Sequence, residues 1–407
     1  MSAAVAMQMP ATSFRALSVL AAARTLPFHS IGGMQAIAWD VLAGLARCGH
    51  RVSVLTTSIP GRASSPFLRD GVLVVPLAGT VPERYSGGWW RASRRYAERH
   101  LVGRVDAVLS ISAAAAGLLP LKRSRLPVPF IFQAHGSSWA EAVTKWRSGR
   151  PLDWVKSARN VYWLAKDASL YPHFDQLVFV GARLQRQFEK APLRWMTRGI
   201  AQATITNGID TDRFRFDAAM RATVRSRFGF GAGDRVLVFS GRLHPYKGAA
   251  EALRALAVLR AHDQVYKLLV VGDGVQGPAL RQLASELNCA AAVEFAGTVR
   301  REEVPALLAA GDVFVFPALG DREGLPLNVL EALSVGLPCV CADTLRDIFG
   351  PLDQIAYAPA KSAQALASAI RRMALRGPLG ATLLPEEYSL QRCIDAYETV
   401  IRRWARR

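Results

Sequence analysis

The chain has 407 residues, with 51 Lys or Arg against 32 Asp or Glu, a formal charge of +19. That length predicts about two domains, and a composition 51% hydrophobic and 20% charged excludes disordered and collagen-like chains. The positive excess calls for an anionic partner, and nucleic acid, a phosphorylated small molecule and an acidic membrane surface all qualify.

In chain order, Ala16–Ala22 predicts a first strand, because the run is too short for a signal core with its flanks. Met34–Arg47 predicts a helix, with Ala38, Val41, Leu42 and Leu45 on one face and Gly49 as its stop. Strands follow at Arg51–Thr57, Val72–Leu77, Val105–Ile111, Pro129–Ala134 and Gln176–Val180. The longest weakly polar run, Val105–Leu121, is shorter than the roughly 18–20 residues of a membrane-spanning helix. A fresh series starts near Asp234, with strands at Arg235–Phe239, Lys267–Val271, Val293–Ala296, Val313–Pro317 and Pro338–Ala342 and helices at Ala249–Ala261 and Ala363–Met373. The last helix, Tyr388–Ala405, carries Tyr397, Ile401 and Trp404 on a stripe suited to packing back on the N-terminal domain. Apolar strands alternating with helices imply parallel sheets covered on both faces, an α/β fold. The expected division is residues 1–205 with the terminal segment 386–407, and residues 206–385.

Residues 88–198 hold 19 Lys or Arg against 7 Asp or Glu, together with Trp89, Trp90, Trp139, Trp146, Trp154, Trp163 and Trp195. Cations interleaved with indoles suit a lipid headgroup layer, while ordinary packing of amphipathic side chains is the plainer account. The five cysteines, Cys48, Cys289, Cys339, Cys341 and Cys393, lack zinc-ligand spacing and read as small buried thiols.

Five motifs bear on chemistry. Gly32-Gly33 opens a helix, where bare backbone N–H groups can meet a phosphate or hydroxyl, although two glycines also make a plain tight turn. Ser240-Gly241-Arg242 through Lys247-Gly248 follows a strand, and its two cations suit a diphosphate or simply face solvent. Glu323-Gly324-Leu325-Pro326-Leu327-Asn328 leads into a helix carrying Glu331. Its N–H groups suit a phosphate and its carboxylates suit paired hydroxyls, against the alternative of a capping Glu and a surface Glu. Gly272-Asp273-Gly274-Val275-Gln276-Gly277 is a literal G-x-G-x-x-G, but Glu294 is misplaced for the ribose-binding acid of a dinucleotide fold. His135-Gly136 ends an N-domain strand and is either structural or aimed into the crevice. No motif has metal-ligand spacing, and there is no G-x-S-x-G elbow.

In this order the motifs, with Asn207-Gly208-Ile209-Asp210 and the E-x7-E segment Glu323–Glu331, resemble the retaining GT-B glycosyltransferases of family 4. The resemblance implies two doubly wound Rossmann-like domains facing a central cleft, with a C-terminal helix crossing back. It implies that Arg242, Lys247 and the helix start near Gly324, Leu325, Pro326 and Leu327 hold a nucleotide-sugar diphosphate. Glu331 would bind ribose, Glu323 the sugar hydroxyls, and the backbone at Thr298 and Val299 the base; Gly241, Gly33 and His135 complete the site. No metal or other cofactor is expected, the nucleotide sugar being a co-substrate. After Cys341-Ala342-Asp343 the chain departs from the family's usual Gly-Gly and later Glu, reading Thr344-Leu345-Arg346-Asp347-Ile348-Phe349.

The expected protein is a hexosyltransferase acting on a lipid-linked glycan acceptor in polysaccharide or lipooligosaccharide assembly. It would attach from the cytoplasm to the inner membrane face through residues 88–198. A soluble transferase of a free metabolite explains the motifs but not the basic stretch. A nucleic-acid-binding protein explains the charge but lacks any recognisable binding module.

Overall fold

The computed structural model describes residues 15–30, 32–139, 162–320 and 323–405. Among the described residues, fourteen strands form two sheets. The first contains β1 (Ser18–Ala23), β2 (Arg51–Thr56), β3 (Phe67–Arg69), β4 (Val72–Pro76), β5 (Ala107–Ile111), β6 (Phe130–Ala134), β7 (Gln176–Phe179) and β8 (Ala201–Thr204). Their order is β3-β4-β2-β1-β5-β6-β7-β8, and only the β3–β4 pair is antiparallel. The second contains β9 (Arg235–Ser240), β10 (Tyr266–Val271), β11 (Val293–Gly297), β12 (Val313–Phe316), β13 (Cys339–Ala342) and β14 (Ile355–Ala358), in the order β11-β10-β9-β12-β13-β14 and wholly parallel.

Central strands such as β1, β5 and β12 are buried along their whole length, because helices cover both faces. Each fully buried Val, Leu or Phe there contributes about 1.5–3 kcal/mol of transfer free energy. In each sheet the winding direction reverses once, between β1 and β5 and between β9 and β12. Crevices that bind ligands open at the carboxyl ends of strands at such reversals.

The helix Leu390–Ala405 packs on the first sheet's side, burying Ile394, Tyr397 and Ile401 in its core. Gly44 lies beneath it, where a Cβ would press on the Ile394 side chain. Glu398 lies 3.3 Å from His50, and Trp404 Nε1 donates to Gln176 Oε1 at 3.0 Å. The two chain crossings between the sheets run side by side: Ile209 N donates to Tyr388 O at 2.8 Å and Leu390 N to Ile209 O at 2.9 Å. The sequence places this helix two residues too early, because Glu386–Tyr388 forms a 3-10 turn before it.

Three strands escape the sequence pattern. β3 has three residues, β8 is a half-exposed edge strand, and β14 has two half-buried positions. Cys48 is exposed, contrary to the expectation of buried thiols, because it caps the helix Gly33–Arg47 at its solvent end; the other four are buried.

The tryptophans of the basic stretch are mostly packed inward. Trp89 is fully buried and its Nε1 donates to Ala114 O at 3.1 Å. Trp90 and Trp139 pack against the same core, and Trp163 contacts Tyr85. Only Trp195, 73% exposed, faces solvent among the described ones; Trp146 and Trp154 lie outside the described residues. Indoles at these positions mostly satisfy an internal packing demand. Arg91, Arg94, Arg95 and Arg99, by contrast, form an exposed basic face on the helix Gly87–His100.

Candidate active site

The second sheet's crevice is built by the loops after β9, β10 and β12. Gly241 N donates to Val271 O at 2.9 Å, Leu243 N to Asp273 O at 3.0 Å and Gln276 N to Leu243 O at 3.1 Å, joining the first two loops. Gly272 and Gly274 have no room for a Cβ, which would strike the carbonyl oxygens of Gly241 and Leu243. Gly272 and Gly274 of the G-x-G-x-x-G run therefore serve loop-to-loop packing.

Lys247 and Glu323 are brought together from the two sides of the winding reversal. Leu319 N donates to Tyr246 O at 2.7 Å, holding the loop after β12 to the loop after β9. Lys247 Nζ then stands 2.7 Å from Glu323 Oε1, and Glu323 is only 8% exposed. That Oε1 is itself buried, with the Lys247 ammonium beside it. Arg242 is exposed at the same loop and forms no ion pair among the described residues.

Two helix starts converge here. The helix Leu327–Ser334 begins after Pro326 with neither a side-chain cap nor an acidic first turn. The helix Gly33–Arg47 likewise begins uncapped after Gly32. A Cβ on Gly33 would lie 3.1 Å from Leu327 Cδ1, so the two starts meet across the cleft. Their unsatisfied N–H groups and positive dipole ends favour an anion. Asn328, which sequence reasoning left without a role, ties this helix start to the cation loop by donating from Nδ2 to Ser240 O at 2.6 Å. Glu323 precedes this helix by four residues and Glu331 lies on it.

Glu331 is half-buried, and burial pushes its carboxyl above the usual range against the opposing charge of Arg301. Arg301 also donates to Asp40 Oδ2 at 2.8 Å, and Arg213 to Asp40 Oδ1 at 3.4 Å. Asp40 lies on the Gly33–Arg47 helix and is 5% exposed; burial raises its carboxyl while the two arginines oppose the rise. Thr298 is exposed and Val299 packs partly on the core. A pocket lined by Leu243, Asp273, Arg281 and Phe295 also includes Gly297, the residue before Thr298.

The N-terminal side holds the Glu323 loop directly. Arg183, on the helix Ala182–Phe188, donates from Nη1 to Glu323 O at 2.7 Å and from Nη2 to Thr344 O at 3.3 Å. Asp347 pairs with both Arg183 and Arg186 at 3.3 Å. The segment that departs from the family pattern thus supplies a clasp across the cleft.

His135 lies just past β6. Its Nε2–H donates to Gln133 Oε1 at 3.0 Å, and Gln133 Nε2 donates to the Tyr397 hydroxyl at 2.6 Å. Burial pushes its imidazole down to about 4. A group whose folded pKa lies below its unfolded value binds fewer protons when folded, so stability falls as pH drops below about 6.5 towards 4. His135→Asn is expected to flatten that part of the stability profile, and NMR titration should show a neutral ring at pH 6.

Among the described residues no group of three or more His, Cys, Asp or Glu side chains is placed to hold a metal ion, and no helix is long and apolar enough to cross a membrane.

Structural comparison places this architecture. Sucrose-phosphate synthase from Thermosynechococcus elongatus superposes with a TM-score of 0.69 over 95% of this chain and 97% of that one, at 18% identity. Anabaena HepE, in complex with UDP and glucose, superposes with a TM-score of 0.70 over 95% and 99%, at 15% identity. The fold is GT-B.

The family model for glycosyl transferases group 1 matches residues 220–381, and that for Glycosyltransferase Family 4 matches residues 31–213. The chain belongs to this glycosyltransferase family. A GDP-mannose-dependent alpha-(1-6)-phosphatidylinositol monomannoside mannosyltransferase from Mycobacterium tuberculosis is 39% identical over 142 residues, 34% of this chain and 37% of that protein. A putative teichuronic acid biosynthesis glycosyltransferase from Bacillus subtilis is 30% identical over 223 residues, 51% and 52% of the two chains. The matched stretches thus span well under two thirds of these curated relatives.

Proposed function

We propose that the protein transfers a hexose from a nucleoside-diphosphate sugar to a hydroxyl of a lipid-linked glycan acceptor, with retention of configuration. The observation that carries the donor reading is the meeting of the Lys247–Glu323 pair with two uncapped helix starts, beside the loop that carries Arg242. Phosphate oxygens would take the cations and the bare N–H groups, stabilising the leaving diphosphate as the glycosidic bond breaks. Glu331 would take ribose hydroxyls and Glu323 the sugar's hydroxyls. The base would lie against Thr298–Val299, and His135 would face the sugar from the other domain.

In the proposed reaction the bond from the anomeric carbon to the phosphate oxygen breaks while the acceptor oxygen attacks from the same face. The acceptor's proton passes to the departing phosphate oxygen. Glu323, already engaged by Lys247, orients hydroxyls and forms no covalent bond. Trapping a glycosyl adduct on Glu323 would rule this out.

Support for a nucleotide-sugar donor comes from the GDP-mannose-dependent relative and the UDP-bound structural neighbour. Support for a membrane-surface acceptor comes from the phosphatidylinositol-mannoside substrate in the relative's name and from the exposed arginines of the helix Gly87–His100. Each cation near anionic lipid contributes about 1 kcal/mol. A screen of nucleotide sugars by hydrolysis and thermal shift is expected to give one preferred donor. Flotation is expected with acidic vesicles at low salt and not with neutral ones. Stabilisation by NAD or DNA and by no nucleotide sugar would sink the donor reading, and equal absence from both vesicle types the membrane reading.

A further inference from the structure

The first sheet has its own winding reversal between β1 and β5, and its carboxyl ends open on the cleft where Gly33 meets Leu327. Beside that reversal the side chains are aromatic and cationic. Tyr85, in the loop after β4, stacks on Trp90 with ring centroids 5.2 Å apart, and Trp163 stands 6.1 Å from Tyr85. Lys166 Nζ lies 4.6 Å from the Trp90 ring and 4.8 Å from the Trp163 ring. Arg24, the residue after β1, holds its guanidinium 4.7 Å over Tyr85. All five side chains are half-buried.

Neither cation forms an ion pair among the described residues, and Arg24 Nε is buried with no hydrogen-bond partner. Asp167, engaged by the Tyr171 hydroxyl, also acts on Lys166 and favours its charged form. The surrounding loops are braced: Thr57 Oγ1 donates to Arg24 O at 2.8 Å, Glu83 N to Thr57 Oγ1 at 3.1 Å and Thr25 Oγ1 to Glu83 Oε1 at 3.3 Å. A cation held half out of water with no ion pair, as Arg24 is, is costly, and the ring face offsets only part of that. An anion would offset the rest, and a fork such as Arg24 suits phosphate or carboxylate. The aromatic rings offer apolar surface to the C–H face of a sugar.

We infer that Arg24, Lys166, Tyr85, Trp90 and Trp163 form the acceptor subsite, and that it takes a sugar or polyol carrying a phosphate or carboxylate. Strand β5 separates β1 from β6, so the residues ending those strands, Arg24 and His135, are spaced by about 10 Å. The inference rests on the donor reading above, because an acceptor subsite has meaning only opposite a donor.

Calorimetric titration of the full chain, with GDP or UDP present, separates the two. The probes are octyl glucoside, its 6-phosphate and octyl glucuronide. At least one charged probe is expected to bind about tenfold more tightly than the neutral one. Tighter binding of the 6-phosphate assigns a phosphate-bearing acceptor, and tighter binding of the glucuronide an acidic sugar. Arg24→Gln and Lys166→Gln should each weaken the charged probe about tenfold, Lys166→Arg should retain it, and GDP or UDP affinity should not change in any variant. Equal binding of all three probes, no binding of any, or indifference of the charged probe to both Gln variants would overturn the subsite. Charged-probe binding intact without affinity for either nucleotide would uphold the subsite and overturn the donor reading.

Discussion

Lys247→Ala is expected to lower sugar transfer about 10²–10³-fold, the loss that follows removal of one preorganised charge from a developing anion. Two effects combine in this variant. The leaving diphosphate loses a cation, and Glu323, 8% exposed and 2.7 Å from that ammonium, is left buried without its counter-charge. Lys247→Ala with Glu323→Gln should therefore cost less than the sum of the two single changes, since neighbours sharing one interaction are not additive. Arg242→Ala, at an exposed position with no internal ion pair among the described residues, should weaken donor binding while leaving thermal stability unchanged. Initial rates and donor-induced thermal shifts measure all four. Transfer by Lys247→Ala within about threefold of the parent would be incompatible with a donor role for this loop.

Gly248→Ala is the second large effect. Gly248 has φ +84, and a Cβ there would collide with the Pro317 carbonyl oxygen. The left-handed conformation alone costs about 1–2 kcal/mol for a residue with a Cβ, and displacement of the Pro317 backbone adds to it. For a domain of 150–250 residues that corresponds to a Tm fall of at least about 2–8 °C. Because Gly248 directly follows Lys247, the same change should abolish the thermal shift given by the donor. Gly233→Ala, in open space, is the control and should change neither. An unchanged Tm in Gly248→Ala would show that the turn yields more readily than its contacts imply.

Much of the fold was legible along the chain. Eleven of the strands coincide, within two residues, with apolar runs bounded by polar or glycine-containing stretches, because strands buried on both faces need unbroken apolar sequence. β8, half-exposed, carries a weaker version of that signal, and β3 is too short to show one. The cation loop and the Glu323 segment were equally legible, since each lies within ten or twelve residues of one strand-to-helix turn.

The rest was decided by contacts between distant residues. Arg301 and Asp40 are 261 positions apart, Arg183 and Glu323 are 140 apart, and Gln133 and Tyr397 are 264 apart. No local spacing encodes such pairs; the first two exist because the two sheets turn their carboxyl ends towards one cleft, and the third because the terminal helix packs back on the first sheet. The tryptophans carry the same lesson. Sequence alone determined that seven of them share a basic stretch, but burial depends on which neighbours fold over each ring. Packing turned Trp89 inward, left Trp195 outward, and set Trp90 and Trp163 around Lys166 beside the cleft.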